Sequence, residues 1–521
     1  MKHLEGARYD PHQSAALTAS PRGGSLWKGN EMKLTTLLEE LDYELYAGEL
    51  DKEISTLVYD SRKVEKDSVF VCISGTVRDA HDFIPDVIEK GATAIIIEKD
   101  VEPVAGVTYI KVKNSRQALA ILSAAYFGHP AKELKTIGIT GTKGKTTTTY
   151  MVKSILEKAG IKTGLIGTIE SIVGDERIPA VNTTPESYRV QELFRQMVDA
   201  GLDAVVMEVS SQALMLHRVS GFTFDIGVFT NLEPDHIGEN EHKDFADYMH
   251  CKSLLFQQCK VGIFNGDSEH IDGILEGHTC DVIKYGYGKD NDLVAENVEL
   301  LKEHGALGVK YHIAGKENMD VEVNVPGTFS VYNSLTAVAI CKQFDVAEDK
   351  IKAALKDVHV KGRIELVPVS KKFTVMIDYA HNAMALESLL TTLKAYEPGR
   401  LVCLFGCGGN RAKSRRYEMG EVSSRLADLT VVTSDNPRNE EPMDIINDIL
   451  IGVKKADGEY VTIPDRKEAI RYCLVNAKEG DIVVLAGKGH EDYQEIKGVK
   501  HHMDERELIA DIVKEDGHDI I

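Results

Sequence analysis

Apolar positions along the chain switch between two spacings. Short apolar runs bounded by glycine or polar clusters recur at residues 57–62, 68–73, 92–97, 136–140, 164–169, 204–208, 226–229, 261–265, 374–378, 401–405, 429–433 and 481–486, and these read as strands. Between them, residues 32–41, 80–89, 115–127, 151–159, 188–200, 246–259, 385–395 and 443–452 are spaced as helices. Strand alternating with helix predicts an α/β fold with parallel, doubly wound sheets. Ligands of such sheets sit beyond the carboxyl ends of strands. Polar clusters follow the strands here, at residues 208–211, 230–236, 406–416, 434–438 and 487–493.

The pattern divides into three modules. Pro130 and the charged segment after it mark a first boundary, and a new run begins near Gly362-Arg363, so we expect modules at residues 32–130, 131–358 and 359–521. Residues 1–31 are rich in Ser, Gly, Pro and Ala and carry the only tryptophan, Trp27. They lack the apolar stretch of a signal peptide. We expect a disordered extension, with Met32 opening the folded part.

The strand at residues 136–140 runs into Gly141-Thr142-Lys143-Gly144-Lys145-Thr146-Thr147 and then a helix. Strand, glycine-rich turn, Lys-Thr and helix make a phosphate-binding loop, although the spacing is shorter than GxxxxGK[ST]. Glycines let backbone N–H groups turn toward an anion, and the helix N-terminus adds partial positive charge. Lys145 is expected at the terminal phosphates and the Thr146 hydroxyl on Mg²⁺.

Composition narrows the possibilities. A net charge of −21 with no basic stripe argues against a nucleic-acid partner. The eight cysteines show neither CxxC nor zinc spacing, which fits reduced thiols in a cytoplasm. No apolar run approaches the roughly 18 residues of a membrane span.

Three further groups carry candidate chemistry. Glu208 closes an apolar strand and offers a carboxylate for Mg²⁺. His236 and Lys252 would, on their residue types alone, be a structural histidine and a solvated cation. Arg411, Arg415 and Arg416, with Asp435-Asn436-Pro437-Arg438, look built for a zwitterion, arginine for its carboxylate and Asp435 for its ammonium.

In order along the chain stand GTKGKTT (141–147), NTTP (182–185), EVSSQAL with HR (208–218), TN and DH (230–236), GRIE (362–365), DYAH (378–381), FGCGGNR (405–411), DNPRNEEP (435–442) and GKGHEDYQ (487–494). This set resembles the Mur ligases, and within them the tripeptide-forming branch. The resemblance implies an N-terminal module binding a uridine nucleotide, a central ATPase and a C-terminal Rossmann-like module similar to dihydrofolate reductase. It implies a monomer and ATP-driven amide formation through an acyl phosphate, in peptidoglycan precursor synthesis.

Carried over, residues 141–147 hold ATP, with Arg363 and Asn382 closing over it from the third module. Thr146 and Glu208 hold one Mg²⁺; His236 and Lys252, the latter carbamylated, hold a second. Asn182, Thr183, Thr184, Ser210 and Arg218 contact UDP-N-acetylmuramoyl-L-alanyl-D-glutamate, with Tyr59 and Ser61 on its uridine side. The loop Asp435-Asn436-Pro437-Arg438 resembles that of ligases for meso-diaminopimelate, whose distal carboxylate Arg438 and Arg416 would clamp, with Gly487 and Glu491 completing the site. An arginine facing the unpaired ammonium of lysine would cost roughly a few kcal/mol. The alternatives are the same reaction with L-lysine or another diamino acid, and a catalytically silent nucleotide-binding paralogue.

Overall fold

The computed structural model of the chain describes residues 32–75, 78–235, 237–238, 241–303 and 306–520. The expected extension, residues 1–31, lies outside them, as does His236. The chain forms two compact units. One takes in the described residues up to Gly138 with Gly164–Asp225 and His236–Lys260; the other takes in Ile139–Thr163, Ile226–Asp235 and Val261–Ile521.

The first unit opens with a five-stranded sheet in the order Glu44–Ala47, Thr108–Lys111, Ala92–Ile97, Ser68–Val71, Thr56–Val58. Only the first pair is antiparallel. Alternation along the strands splits the side chains into two cores. Val69, Val71, Ala94, Ile96 and Ile110 pack against Ala118, Leu119 and Leu122 of the helix Ser115–Tyr126. Phe70, Ile95, Ile97 and Tyr109 pack with Ile84 and Val87 of the helix Ile84–Glu89. Burial on both faces is why the strands read as unbroken apolar runs. The same unit carries the strand order Glu176–Pro179, Glu170–Val173, Thr163–Ile166, Ala204–Glu208, Lys135–Thr140.

The second unit takes up the chain at Ile139, where the strand runs into the loop at residues 141–147, and holds the strand order Phe224–Phe229, Cys259–Asn265, Asp281–Gly286, then the antiparallel Leu293–Glu303, Ala306–Gly315 and Met319–Val323. A six-stranded sheet follows, ordered Glu365–Val367, Thr374–Asp378, Ile482–Ala486, Leu401–Phe405, Leu429–Val432, Tyr460–Thr462. It is parallel except at its first edge. Met376, Cys403, Phe405 and Val484 face one set of helices and Val375, Ile377, Leu404 and Leu485 the other, so this sheet is doubly wound as well.

Several elements differ from the sequence reading. The helix expected at 32–41 is only Leu34–Leu37. The strand expected at 57–62 stops at Val58, because the Asp60 carboxylate accepts from the Arg62 N–H at 3.1 Å and turns the chain into the short helix Ser61–Lys63. The helix expected to reach residue 259 ends at Ser253, followed by one 3₁₀ turn; Cys259 opens a strand. The antiparallel ribbon at Leu293–Glu303 and Ala306–Gly315 was not anticipated.

Candidate active site

The loop at residues 141–147, expected to bind phosphate, is held in shape by the chain that follows the strand Phe224–Phe229. Thr142 N–H donates to the Asn231 carbonyl at 3.0 Å, Lys143 N–H donates to Asn231 Oδ1 at 2.8 Å, and Asn231 Nδ2 returns a bond to the Lys143 carbonyl at 3.0 Å. Thr230 Oγ1 donates to the same carbonyl at 2.7 Å. Gly141 has φ of +146°, and a Cβ there would stand 2.0 Å from Thr230 Oγ1. Gly144, at φ +85°, precedes the helix Lys145–Lys158, and a Cβ would stand 2.5 Å from Asn333 Oδ1. Only glycine fits either position. Lys145 Nζ donates to the carbonyls of Gly141 and Thr142 at 2.8 and 3.0 Å. Thr146 and Thr147 are buried in the first helical turn. Lys143 is exposed and pairs with Glu233.

In the first unit, Glu208 ends its strand at 1% exposure. Its carboxylate accepts from Thr168 N–H at 2.9 Å and Thr168 Oγ1 at 3.0 Å, and a Cβ on Gly167 would stand 2.6 Å from Oε1. Thr184 Oγ1 donates to the Glu208 carbonyl at 2.8 Å and accepts from Ser210 N–H at 3.0 Å. Thr183 Oγ1 lies 3.2 Å from Thr168 Oγ1. Ser210 Oγ caps the helix Ser211–Met215. Arg218 donates to the Thr184 carbonyl at 3.1 Å, and its buried Nε, which makes no hydrogen bond among the described residues, lies 3.8 Å from the Glu186 carboxylate. Burial holds the Arg218 guanidinium below its ordinary pKa, with Glu186 opposing. Tyr59 packs on Tyr188, ring centroids 5.8 Å apart, and burial first, then Glu186, pushes its phenol up to about 12. Lys252 is 2% exposed on the helix Phe245–Ser253, its Nζ 4.4 Å from the Tyr248 ring centroid.

In the second unit, the loops after the strands of the six-stranded sheet converge on Lys488. Its Nζ is fully buried and donates to Asn436 Oδ1 and Glu491 Oε2, each at 2.9 Å, and to the Tyr493 carbonyl. Asn436 Nδ2 donates to the same Glu491 oxygen at 2.9 Å, and its Oδ1 accepts from Glu495 N–H at 2.9 Å. Asp435 is buried, and Gly487, at φ +107°, comes so close that a Cβ would stand 3.0 Å from Asp435 Oδ2. Arg438 follows Pro437 with φ of +53°. Its Nε donates to Glu495 at 3.1 Å and its Nη1 to the Gly409 carbonyl at 2.8 Å, and the side chain stays 24% exposed.

Arg416 does not share that exposure. It is 1% exposed, and its two terminal nitrogens donate to Asp448 at 2.9 Å and Glu440 at 2.8 Å. Glu440 also accepts from Asn410 N–H at 2.5 Å, so Arg416 braces the loop instead of facing a ligand. Nearby, Arg363 stacks over Tyr379 at 5.0 Å, and His490 meets the same ring at 4.8 Å. Arg363 Nε and His490 Nδ1 are buried without partners among the described residues. Burial first, then Arg363, pulls His490 down to about 4. Asn382 Oδ1 caps the helix Ala383–Lys394 at 2.8 Å from Ala385 N–H.

Family models match three stretches in register with these sites: the Mur ligase family, catalytic domain at residues 53–127, the Mur ligase middle domain at 139–341, and the Mur ligase, glutamate ligase domain at 362–489. A relative from Clostridium perfringens named UDP-N-acetylmuramoyl-L-alanyl-D-glutamate--2,6-diaminopimelate ligase is 44% identical over 490 residues, covering 93% of this chain and 100% of its own. This chain belongs to the Mur ligase family. A Bacillus licheniformis relative of the same name is 42% identical and covers 92% of this chain and 98% of its own. A solved structure carrying that enzyme name superposes with a TM-score of 0.72 at 26% identity, covering 94% of this chain and 100% of its own. The MurF ligase of Thermotoga maritima in complex with ADP has a TM-score of 0.55 at 17% identity, covers 88% of this chain and 97% of its own, and shares the fold.

In this Mur ligase, the expected residues fall into distinct groups. Thr183, Thr184, Ser210 and Arg218 are joined by hydrogen bonds around the end of the Glu208 strand, and Tyr59 reaches the helix Ser187–Asp199 through Tyr188. Asn182 is exposed beside them, and Ser61 opens a 3₁₀ turn. Asp435, Asn436, Gly487 and Glu491 meet around Lys488. The expectation for His236 lies outside the described residues. Sequence reasoning passed over Asn231, Asn333, Tyr188 and above all Lys488. The polar loop strings around Asn231 and Lys488 were visible, but nothing in their spacing says which side chain turns inward.

Proposed function

We propose that this Mur ligase joins meso-diaminopimelate to the D-glutamate of UDP-N-acetylmuramoyl-L-alanyl-D-glutamate, splitting ATP to ADP and phosphate, as a cytoplasmic step of peptidoglycan precursor synthesis. Residues 32–130, 131–358 and 359–521 would serve the uridine nucleotide, ATP and the amine respectively. What supports the choice of amine is Arg438, whose side chain is 24% exposed, in the loop that also carries the Asp435 carboxylate.

The residues divide the chemistry as follows. Loop N–H groups of residues 141–147 and Lys145 would hold the terminal phosphates, Lys145 exchanging its carbonyl partners for phosphate oxygens. Arg363, stacked on Tyr379, would close over the nucleotide. Asn382 is proposed there too, through the Nδ2 its cap leaves over. Glu208 and Thr146 are oxygen donors at buried positions and suit Mg²⁺, a hard cation that would neutralise phosphate charge. Lys252, on the helix Phe245–Ser253 at 2% exposure, would as a carbamate offer oxygens to a second ion, with His236.

A carboxylate oxygen of the D-glutamate attacks the γ-phosphorus, and the bond to the bridging oxygen of ADP breaks. The amine nitrogen then attacks the acyl carbon, the C–N bond forms, phosphate leaves and the nitrogen loses a proton. Thr183, Thr184, Ser210 and Arg218 would fix the muramoyl peptide during both steps, with Tyr59 and Ser61 toward its uridine. Asp435 would take the ammonium of the distal amino-acid centre and Arg438 its carboxylate, with Asn436, Gly487 and Glu491 forming the wall.

Phosphate release measured across an amine panel with the uridine substrate tests this. We expect turnover with meso-diaminopimelate and little with L-lysine. Robust turnover with lysine and none with diaminopimelate ends the reading.

A further inference from the structure

His242, Asp247 and Cys251 have no part in the chemistry above, yet they bring three metal-ligating atoms within 4.8 Å of one another. Asp247 and Cys251 stand four apart on the helix Phe245–Ser253 and so share a face. The Asp247 N–H is fixed by the Asp244 side chain at 2.8 Å, which sets the first turn. His242 comes from the segment before the helix and is fully buried; Cys251 is 3% exposed. His242 Nδ1 lies 3.1 Å from Asp247 Oδ2, and its Nε2 lies 2.8 Å from Ser211 Oγ. The Asp247 side chain, 24% exposed, gives the cluster its opening to solvent.

One nitrogen, one oxygen and one sulfur do not suit Mg²⁺, which takes oxygen ligands. They suit a borderline-soft cation with tetrahedral preference. We propose that His242, Asp247 and Cys251 form a binding site for Zn²⁺, with water in the fourth position. The proton balance is simple. The Cys251 thiol releases its proton to solvent as the Zn–S bond forms. The imidazole proton moves from Nδ1, which becomes the ligand, to Nε2, which then donates to Ser211 Oγ. Ser211 thus becomes the outer partner that orients the ring, a role whose loss in other zinc sites costs about 10–100-fold in affinity. Because Cys251 and Lys252 are consecutive, an ion here would also brace the turn that carries Lys252.

Titration of the full-length, chelator-treated protein with Zn²⁺ and with Co²⁺ as a spectroscopic stand-in tests the site. We expect one Zn²⁺ per chain and, with Co²⁺, a thiolate-to-metal charge-transfer band. Cys251→Ser removes the band, and Asp247→Asn weakens binding at least about tenfold while leaving the thermal transition in place. A band that survives in Cys251→Ser, or binding unaffected by both substitutions, overturns the proposal. So does the absence of stoichiometric zinc in the wild-type protein.

Discussion

Burying a lysine is costly unless every donor is met. Lys488 meets the condition with a side-chain carbonyl, a carboxylate and a backbone carbonyl drawn from three positions of the site wall. Lys488→Met would take a donor from Asn436 Oδ1, from the Tyr493 carbonyl and from the Glu491 carboxylate, leaving that carboxylate its bond from Asn436 Nδ2 and no counter-charge from Lys488. We expect a loss of about 3–5 kcal/mol, seen as a lower denaturant midpoint, because breaking a buried pair strands the remaining charge. Arg438 is the opposite case, since its side chain stays 24% exposed. Arg438→Ala should raise KM for diaminopimelate roughly tenfold or more, the worth of one charge-assisted hydrogen bond, and leave KM for ATP unchanged. Equal rises in both would remove the clamp. His490 adds a pH dependence. Its folded value of about 4 lies below the ordinary imidazole range, so between there and about 6.5 the unfolded chain binds a proton that the folded chain refuses. Stability therefore falls as pH drops through that window, and His490→Asn should lose less stability than wild type between neutral pH and pH of about 5.

Among the elements, the phosphate loop shows how much a turn depends on its neighbour. Its backbone faces Thr230 and Asn231 so closely that Gly141→Ala must push the loop outward. The substitution keeps Lys145 and Thr146 but shifts them. A displacement near an ångström is worth about 100-fold in rate, and kcat should fall by that order while the protein still folds. Chromatographic recovery of folded protein with near-normal kcat would argue that this loop does not seat the phosphates. Helix caps follow the same logic in milder form. Ser210 and Asn382 each spend a side-chain oxygen on a helix N-terminus, which sets the angle at which the flanking site residues emerge.

For the whole molecule, ligand linkage gives the clearest readout. Nucleotide bound only by the folded chain should stabilise it by about 2.7 kcal/mol at a concentration one hundred times Kd. A thermal shift with ATP and Mg²⁺ should appear in wild type and vanish in Lys145→Ala, whose unliganded stability stays near normal. A shift that persists in the variant would mean the triphosphate binds elsewhere. Among the described residues no helix is long and apolar enough to cross a membrane.

The strands at Ala92–Ile97, Ala204–Glu208, Thr374–Asp378 and Leu401–Phe405 lie where the apolar runs placed them, because a strand buried on both faces leaves a continuous signal. The turn at residues 141–147 was legible for a related reason: positive φ and the close approach of Thr230 and Asn333 demand glycine at 141 and 144. What sequence did not determine was anything settled by partners far away along the chain. The strand Leu293–Glu303 escaped notice because a bulge between Glu296 and Glu299, with Asn297 at φ +53°, interrupts its alternation. Arg416 and Arg438 looked alike as cations, and only the burial of one between Glu440 and Asp448, and the partial exposure of the other beside Glu495, told them apart. Local chemistry writes itself into spacing; the direction a charged side chain takes is decided by which oxygens the fold sets around it.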